Sequence, residues 1–160
     1  MSDRTVSHDT LVIDRTFHAD PTRVFAAWAS PEVRKQWAVP DDGWEIADDQ
    51  HDFRVGGHEV SHFGPPGDPR YRAETNYFDI VPNARIVMAG PMYDRDTRIS
   101  VSLATVEFLA VGAGTRVIYT EQAAFLDGRD TPTSRRQGWT QIFKALERFL
   151  QTPQQSGEPR

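Results

Sequence analysis

One amphipathic stripe near the C-terminus constrains this chain more than any other feature. After Thr131-Pro132, the residues Trp139, Ile142, Phe143, Leu146, Phe149 and Leu150 recur at i, i+3, i+4, i+7, i+10 and i+11, with Lys144, Glu147, Arg148 and Gln151 opposite. That period predicts a one-sided α-helix over Pro132–Leu150. A stripe of that length must be buried against something, and the chain before it offers strands. Runs at Trp44–Phe53, His58–Phe63, Tyr71–Ile80, Arg85–Tyr93, Arg98–Leu109 and Arg116–Phe125 alternate with turn signals such as Gly56-Gly57, Gly64–Pro69 and Gly112–Gly114. With a first strand at Thr10–His18 this gives about seven strands at hairpin spacing, an antiparallel meander. The expected fold class is therefore α+β, a curved antiparallel sheet packed on a long C-terminal helix.

The stretch from His18 to Trp37 interrupts this pattern. Asp20-Pro21 and, ten residues later, Ser30-Pro31 both pair an N-cap oxygen with proline at the first helical position. Two short helices, Pro21–Trp28 and Pro31–Trp37, must meet at a sharp corner, with a turn over 40–43 ending the pair. The corner is expected to plug the end of the sheet that the long helix cannot reach. Residues 1–9 and 152–160 are expected to be disordered, leaving one domain over 10–151.

Composition removes several classes of function. The net charge is -5, and the local basic clusters are only Arg34-Lys35 and Arg135-Arg136, so no phosphate-binding stripe appears and nucleic acid is not an expected partner. The chain contains no cysteine, which excludes disulfides, thiolate metal sites and cysteine nucleophiles. No apolar run approaches the ~20 residues of a membrane span. A cytoplasmic protein, monomer or homodimer, is the expectation.

The order of these elements, together with "FHADPTRVFAAWASPEVRKQW" (Phe17 to Trp37), "FRVGG" (Phe53 to Gly57), "FDIVPNARIV" (Phe78 to Val87), "GTRVIYTEQAAFLDG" (Gly114 to Gly128) and "GWTQIFKALERFL" (Gly138 to Leu150), resembles the START-like, helix-grip proteins of the SRPBCC superfamily. The similarity is to the branch containing the C-terminal domain of the activator of the ninety-kilodalton heat-shock-protein ATPase. The sequence departs from that pattern where Ala38, not a second tryptophan, follows Trp37, and where His58 replaces a common arginine. The resemblance implies a cavity between sheet and long helix. It implies no single reaction, because the superfamily includes lipid carriers, hormone receptors, polyketide cyclases and co-chaperones. The 160 residues are not expected to include the separate N-terminal domain of the eukaryotic activators. An interaction module therefore ranks below a ligand binder.

Glu121 is the candidate for chemistry. If Arg116 faces solvent, Ile118, Thr120 and Gln122 do too, and Val117, Tyr119 and Glu121 point toward the long helix. A carboxylate there must be paired, hydrated in a cavity, or carried as the neutral acid. It could orient a ligand or serve as general acid or base, as in a polyketide-cyclase or dehydratase-like enzyme. A register slip or a sheet-end position would instead leave it in water. The aromatic residues Trp28, Trp37, Tyr93, Tyr119, Trp139 and Phe143 could line a cavity, although aromatics at helical spacing also make ordinary core. Together with Glu121 they form the expected ligand-binding set. Gly138 interrupts the long helix at a cost of about 1 kcal/mol relative to alanine, so either a strand or a ligand approaches closely there.

Other candidates carry less. His58 and His62 share a strand face but lie ~13 Å apart, too far to chelate one metal. Asp48–Asp52 lacks calcium-loop spacing and reads as a solvated strand edge. Gly64–Gly67 is a hairpin tip rather than a phosphate loop, and Ser134 has no nucleophile elbow around it. No metal and no cofactor is expected. Two strands show conflicting alternation: Arg98 against Glu107, and Arg72, Glu74 and Asn76 against Phe78 and Ile80. Bulges near Thr105 and near Tyr77 would resolve them. The function these residues point to is binding of a small, partly apolar molecule, with the cyclase-like enzyme and the co-chaperone-like module as alternatives.

Overall fold

The computed structural model describes residues 4–39 and 43–152, apart from the side chains of residues 48 and 49. The expectations for 1–3, 40–42 and 153–160 fall outside the described residues. Three N-caps set the helices. The Asp20 carboxylate accepts from the Arg23 N–H at 2.9 Å, the Ser30 hydroxyl from Val33 at 3.4 Å and the Thr131 hydroxyl from Ser134 at 3.1 Å. Each stands immediately before a proline that starts its helix: α1 (Pro21–Ala29), α2 (Pro31–Arg34) and α3 (Pro132–Gln151). Ser30 both ends α1 and caps α2, which makes the expected corner. α2 is a single turn, followed by hydrogen-bonded turns through Trp37 rather than by more helix. The Trp37 indole N–H donates to the Ala27 carbonyl at 3.2 Å and fixes the corner angle.

Among the described residues, seven strands form one antiparallel sheet: β1 (Val6–Phe17), β2 (Glu45–Gln50), β3 (His58–Gly64), β4 (Tyr71–Val81), β5 (Arg85–Asp94), β6 (Thr97–Val111) and β7 (Gly114–Leu126). Their order is β1-β7-β6-β5-β4-β3-β2, a meander with the first strand laid against the last. The sheet curves, and α3 packs in its concave face. Ile142, Phe143, Leu146 and Leu150 of the stripe are buried, as are Val24, Phe25, Ala27 and Trp28 of α1. Burying each large side chain of this set contributes roughly 1.5–3 kcal/mol. Arg23 of α1 donates to the carbonyls of Leu150 and Thr152 at 2.8 and 2.7 Å. These are end-of-helix acceptors with no partner inside α3. α1 thus closes the end of the long helix.

Two expectations about the sheet change. β1 begins at Val6 instead of Thr10, because β7 continues to Leu126 and offers partners to Val6–Asp9. These residues are polar or exposed on an edge strand, so they show no apolar alternation. The bulge expected near Thr105 lies instead at Ile99. Ser100 pairs with Met92 and Arg98 with Tyr93, leaving Ile99 as the extra residue. Ile99 and Ser100 are consequently both buried, and Ala104, Val106 and Phe108 face inward while Glu107 faces out. The second bulge falls where expected. Tyr77 pairs with Met88 and Asp79 with Val87, which expels Phe78 to 61% exposure while Tyr77 stays buried.

Candidate functional site

The concave face of the sheet, α2 and α3 enclose an open cavity of about 1490 Å³. Its aromatic wall comes from three elements. Tyr119 of β7 and Trp139 of α3 stack with ring centroids 3.9 Å apart, and Trp28 of α1 lies nearly parallel to Trp139 at 6.3 Å. Trp37 meets Trp28 edge-on at 4.9 Å. Such contacts add to the area term and hold the rings in fixed orientation.

Alternation along β7 is as expected, and it turns Glu121 inward, where it is 2% exposed. Of the three ways to keep a carboxylate there, the structure shows pairing. Arg135, one turn into α3, donates to Glu121 Oε2 at 2.5 Å and to Asp130 Oδ2 at 2.8 Å. Ser102 donates to Glu121 Oε2 at 2.6 Å and Tyr119 to Oε1 at 2.8 Å. Ser100, aimed inward by the Ile99 bulge, takes a further guanidinium hydrogen bond at 2.6 Å. Burial opposes the charge on Arg135, but Glu121 and Asp130 outweigh it and raise its pKa. Burial, reinforced by the negative charge of Glu121, also pushes the Tyr119 phenol well above its ordinary range, so it stays a donor.

A second polar cluster fastens α2 to the sheet. Arg34 makes a two-pronged pair with Glu59 at 2.7 and 3.1 Å, and Glu59 also accepts from the Tyr77 hydroxyl at 2.5 Å and the Asp52 N–H at 3.1 Å. Burial raises the Tyr77 phenol; Arg34 opposes that and Glu59 reinforces it.

The structure brings five of the seven expected residues, Trp28, Trp37, Tyr119, Glu121 and Trp139, onto the cavity lining. Gly138 borders it as well. Tyr93 and Phe143 are placed elsewhere. Opposite the Ile99 bulge, Tyr93 turns to the outer face, where the Arg72 guanidinium sits 4.0 Å over its ring. Phe143 is fully buried against Phe17, Trp28 and Tyr119, on the part of the stripe that grips the sheet. Arg135 and Glu59 were not anticipated. Arg135 could have been found by extending the stripe back one turn, since it lies four residues before Trp139. Glu59 could have been found by noting that His58 outward puts Glu59 inward. His58 instead bridges strands, its Nδ1 2.8 Å from Asn76 Oδ1. Among the described residues no group of histidines and carboxylates could hold a metal ion, and no helix is long and apolar enough to cross a membrane.

Fold and site together define a class: helix-grip α+β proteins whose sheet closes on a C-terminal helix around a cavity with an aromatic wall and a paired polar floor. Residues 18–151 match the family described as Activator of Hsp90 ATPase homolog 1-like protein, and the chain belongs to that family. A protein structure from Rhizobium leguminosarum is 41% identical, covering 92% of this chain and 97% of that one with a TM-score of 0.82. Another from Rhizobium loti is 42% identical, covering 91% and 99% with a TM-score of 0.80. A protein from Chromobacterium violaceum shares the fold at 22% identity and a TM-score of 0.79, over 88% and 96% of the chains. No curated protein matches the sequence significantly.

Proposed function

We propose that the protein binds a small, partly apolar molecule in the cavity between β7, α2 and α3. The observation that supports this reading is the meeting of two surfaces: a stacked Tyr119–Trp139 wall and a polar floor at Glu121. An apolar body has rings to lie against, and a polar end has a fixed hydrogen-bonding group to meet, which is how ligand sites generally combine affinity with orientation. The floor favours holding over proton transfer. Both Glu121 oxygens already accept hydrogen bonds, from Tyr119 on one and from Ser102 and Arg135 on the other. These three hydrogen bonds hold the carboxylate in one orientation.

Titration with the neutral fluorophore N-phenyl-1-naphthylamine tests the reading. Saturable enhancement of its emission, with quenching of tryptophan, is expected. In Trp139→Phe the quenching should fall while the circular dichroism stays native. Non-saturable enhancement, or enhancement with no quenching of tryptophan, would remove the proposal.

A further inference from the structure

Much of the aromatic wall at Tyr119 is covered by the protein itself. Trp28, Trp37 and Tyr119 are buried, packed on one another and on Phe108 and Phe143, while Trp139 stays half-exposed. A second set of rings borders the same cavity and lies open to it. Trp44 stands just before β2, Phe63 lies in β3 and Tyr71 opens β4; all three line the cavity and are half-exposed.

Alternation explains why these rings meet. Phe63 shares the inner side of β3 with Glu59 and Ser61, and Tyr71 the inner side of β4 with Ala73 and Tyr77. Phe63 and Tyr71 are direct cross-strand partners, as are Ile46 and Phe63. Trp44, two residues before Ile46, falls on that side too. The Tyr71 ring meets both others, Trp44 at 5.7 Å with 18° between the planes and Phe63 at 5.6 Å with 27°. Three rings so nearly parallel make a shelf. Arg70 lies 5.5 Å from the Tyr71 centroid and is fixed to Asp94 by two hydrogen bonds of 2.8 Å. Grouped, half-exposed rings in a concavity present apolar area that a flat molecule takes out of water.

The shelf is separate from the wall at Tyr119. Tyr71 pairs with Asp94 and that with Thr97 of β6, whereas Tyr119 pairs with Val106. Nine residues of β6 lie between those rows, roughly 30 Å on a straight strand. One ring system cannot touch both. The cavity, about 1490 Å³, also exceeds the roughly 300–1,000 Å³ usual for a single small ligand.

Building on the ligand-binding reading, we infer that Trp44, Phe63 and Tyr71 form a second subsite, which takes a flat, uncharged ring system. The ring lies along the exposed side of the shelf, stacked as the three side chains stack on one another. An anion gains little there, because the Arg70 fork is already turned to Asp94. A cation meets the Arg70 charge beside the ring faces.

Equilibrium dialysis of N-phenyl-1-naphthylamine against the folded chain tests this. Two molecules of dye should bind per chain. In Tyr71→Ala, and again in Trp44→Leu, the binding of one of them should weaken about tenfold or more while the circular dichroism stays native. Naphthalene should compete for that molecule at a concentration about tenfold below naphthoate and naphthylmethylammonium. A single bound molecule whose affinity is unchanged in both variants overturns the shelf and leaves ligand binding at Tyr119 and Trp139 standing. Stronger competition by either charged compound overturns the uncharged assignment. No saturable dye binding at all overturns both readings. Should Tyr71→Ala fail to fold, Trp44→Leu, at the start of an edge strand, decides by itself.

Discussion

Arg34, Glu59 and Tyr77 form one buried cluster, and Arg135, Glu121 and Tyr119 form another from the same three residue types. In both, a helix supplies the arginine and the sheet supplies the acid and the phenol. The difference lies in what carries the arginine. Arg34 sits on α2, one helical turn with no buried residue of its own. Arg135 sits on α3, a helix of 20 residues anchored by Ile142, Phe143, Leu146 and Leu150. If Arg34 lets go, Glu59 keeps the Tyr77 hydroxyl and the Asp52 N–H. If Arg135 lets go, Glu121 and Asp130 are left close together with no cation between them. The first cluster is a fastening for a light element; the second is a fixed part of the cavity floor. Like chemistry gives unlike mechanics because backbone anchoring differs.

Removing the arginines tests that contrast most directly. Arg135→Ala should destabilise the fold by about 3–5 kcal/mol in urea unfolding, the usual effect of leaving a buried charge without its partner. A loss below about 1 kcal/mol would mean that water reaches the floor and the pair resembles an exposed one. Arg34→Ala should cost less, about 1–3 kcal/mol, since its side chain is 18% exposed and Glu59 retains two donors. Equal losses in the two variants would erase the distinction between fastening and floor.

A finer comparison uses the two phenols. Folding raises the pKa of both Tyr119 and Tyr77, burial being the largest cause in each. In the unfolded chain a tyrosine loses its proton near pH 10. The stability associated with each buried phenol is therefore fully present below about pH 10 and is lost as pH rises above it toward the shifted value. Urea midpoints should fall between about pH 9 and pH 11. They should fall less steeply in Tyr119→Phe and in Tyr77→Phe. At each phenol a carboxylate, Glu121 or Glu59, reinforces burial and an arginine, Arg135 or Arg34, works against it. Both phenols keep their proton through this window in the folded state, so each substitution is expected to remove a similar share of the slope. Identical slopes in the unaltered protein and both variants would show that neither phenol keeps its proton on folding.

The parts of this arrangement that could be read without a structure are those set by neighbours along the chain. Asp20, Ser30 and Thr131 each precede a proline, and each is a working cap, because the capping bond spans only three residues. The inward side of β7 followed from Arg116, because alternation is rigid along an uninterrupted strand. β6 resisted the same reading. Its alternation breaks at Ile99, and both Arg98 and Glu107 are outward on opposite sides of that break. Either residue by itself gives a self-consistent but incomplete inward face. Tyr93 misled for a related reason. It faces the bulge, and nothing within β5 records which way the partner strand shifts.

The sequence by itself determined the helix starts, the antiparallel meander, the stripe that the sheet must cover and the inward direction of Glu121. All of these rest on propensity or periodicity over a few residues. Tertiary structure alone decided that Arg135 reaches Glu121, that Ser100 and Ser102 join them, that Arg34 fastens α2 to Glu59, and that Phe143 belongs to the core while Trp139 borders the cavity. Those pairings join residues from 14 to 35 positions apart. Such contacts depend on the curvature of the sheet and on where one extra residue at Ile99 turns the backbone, quantities that no local pattern encodes.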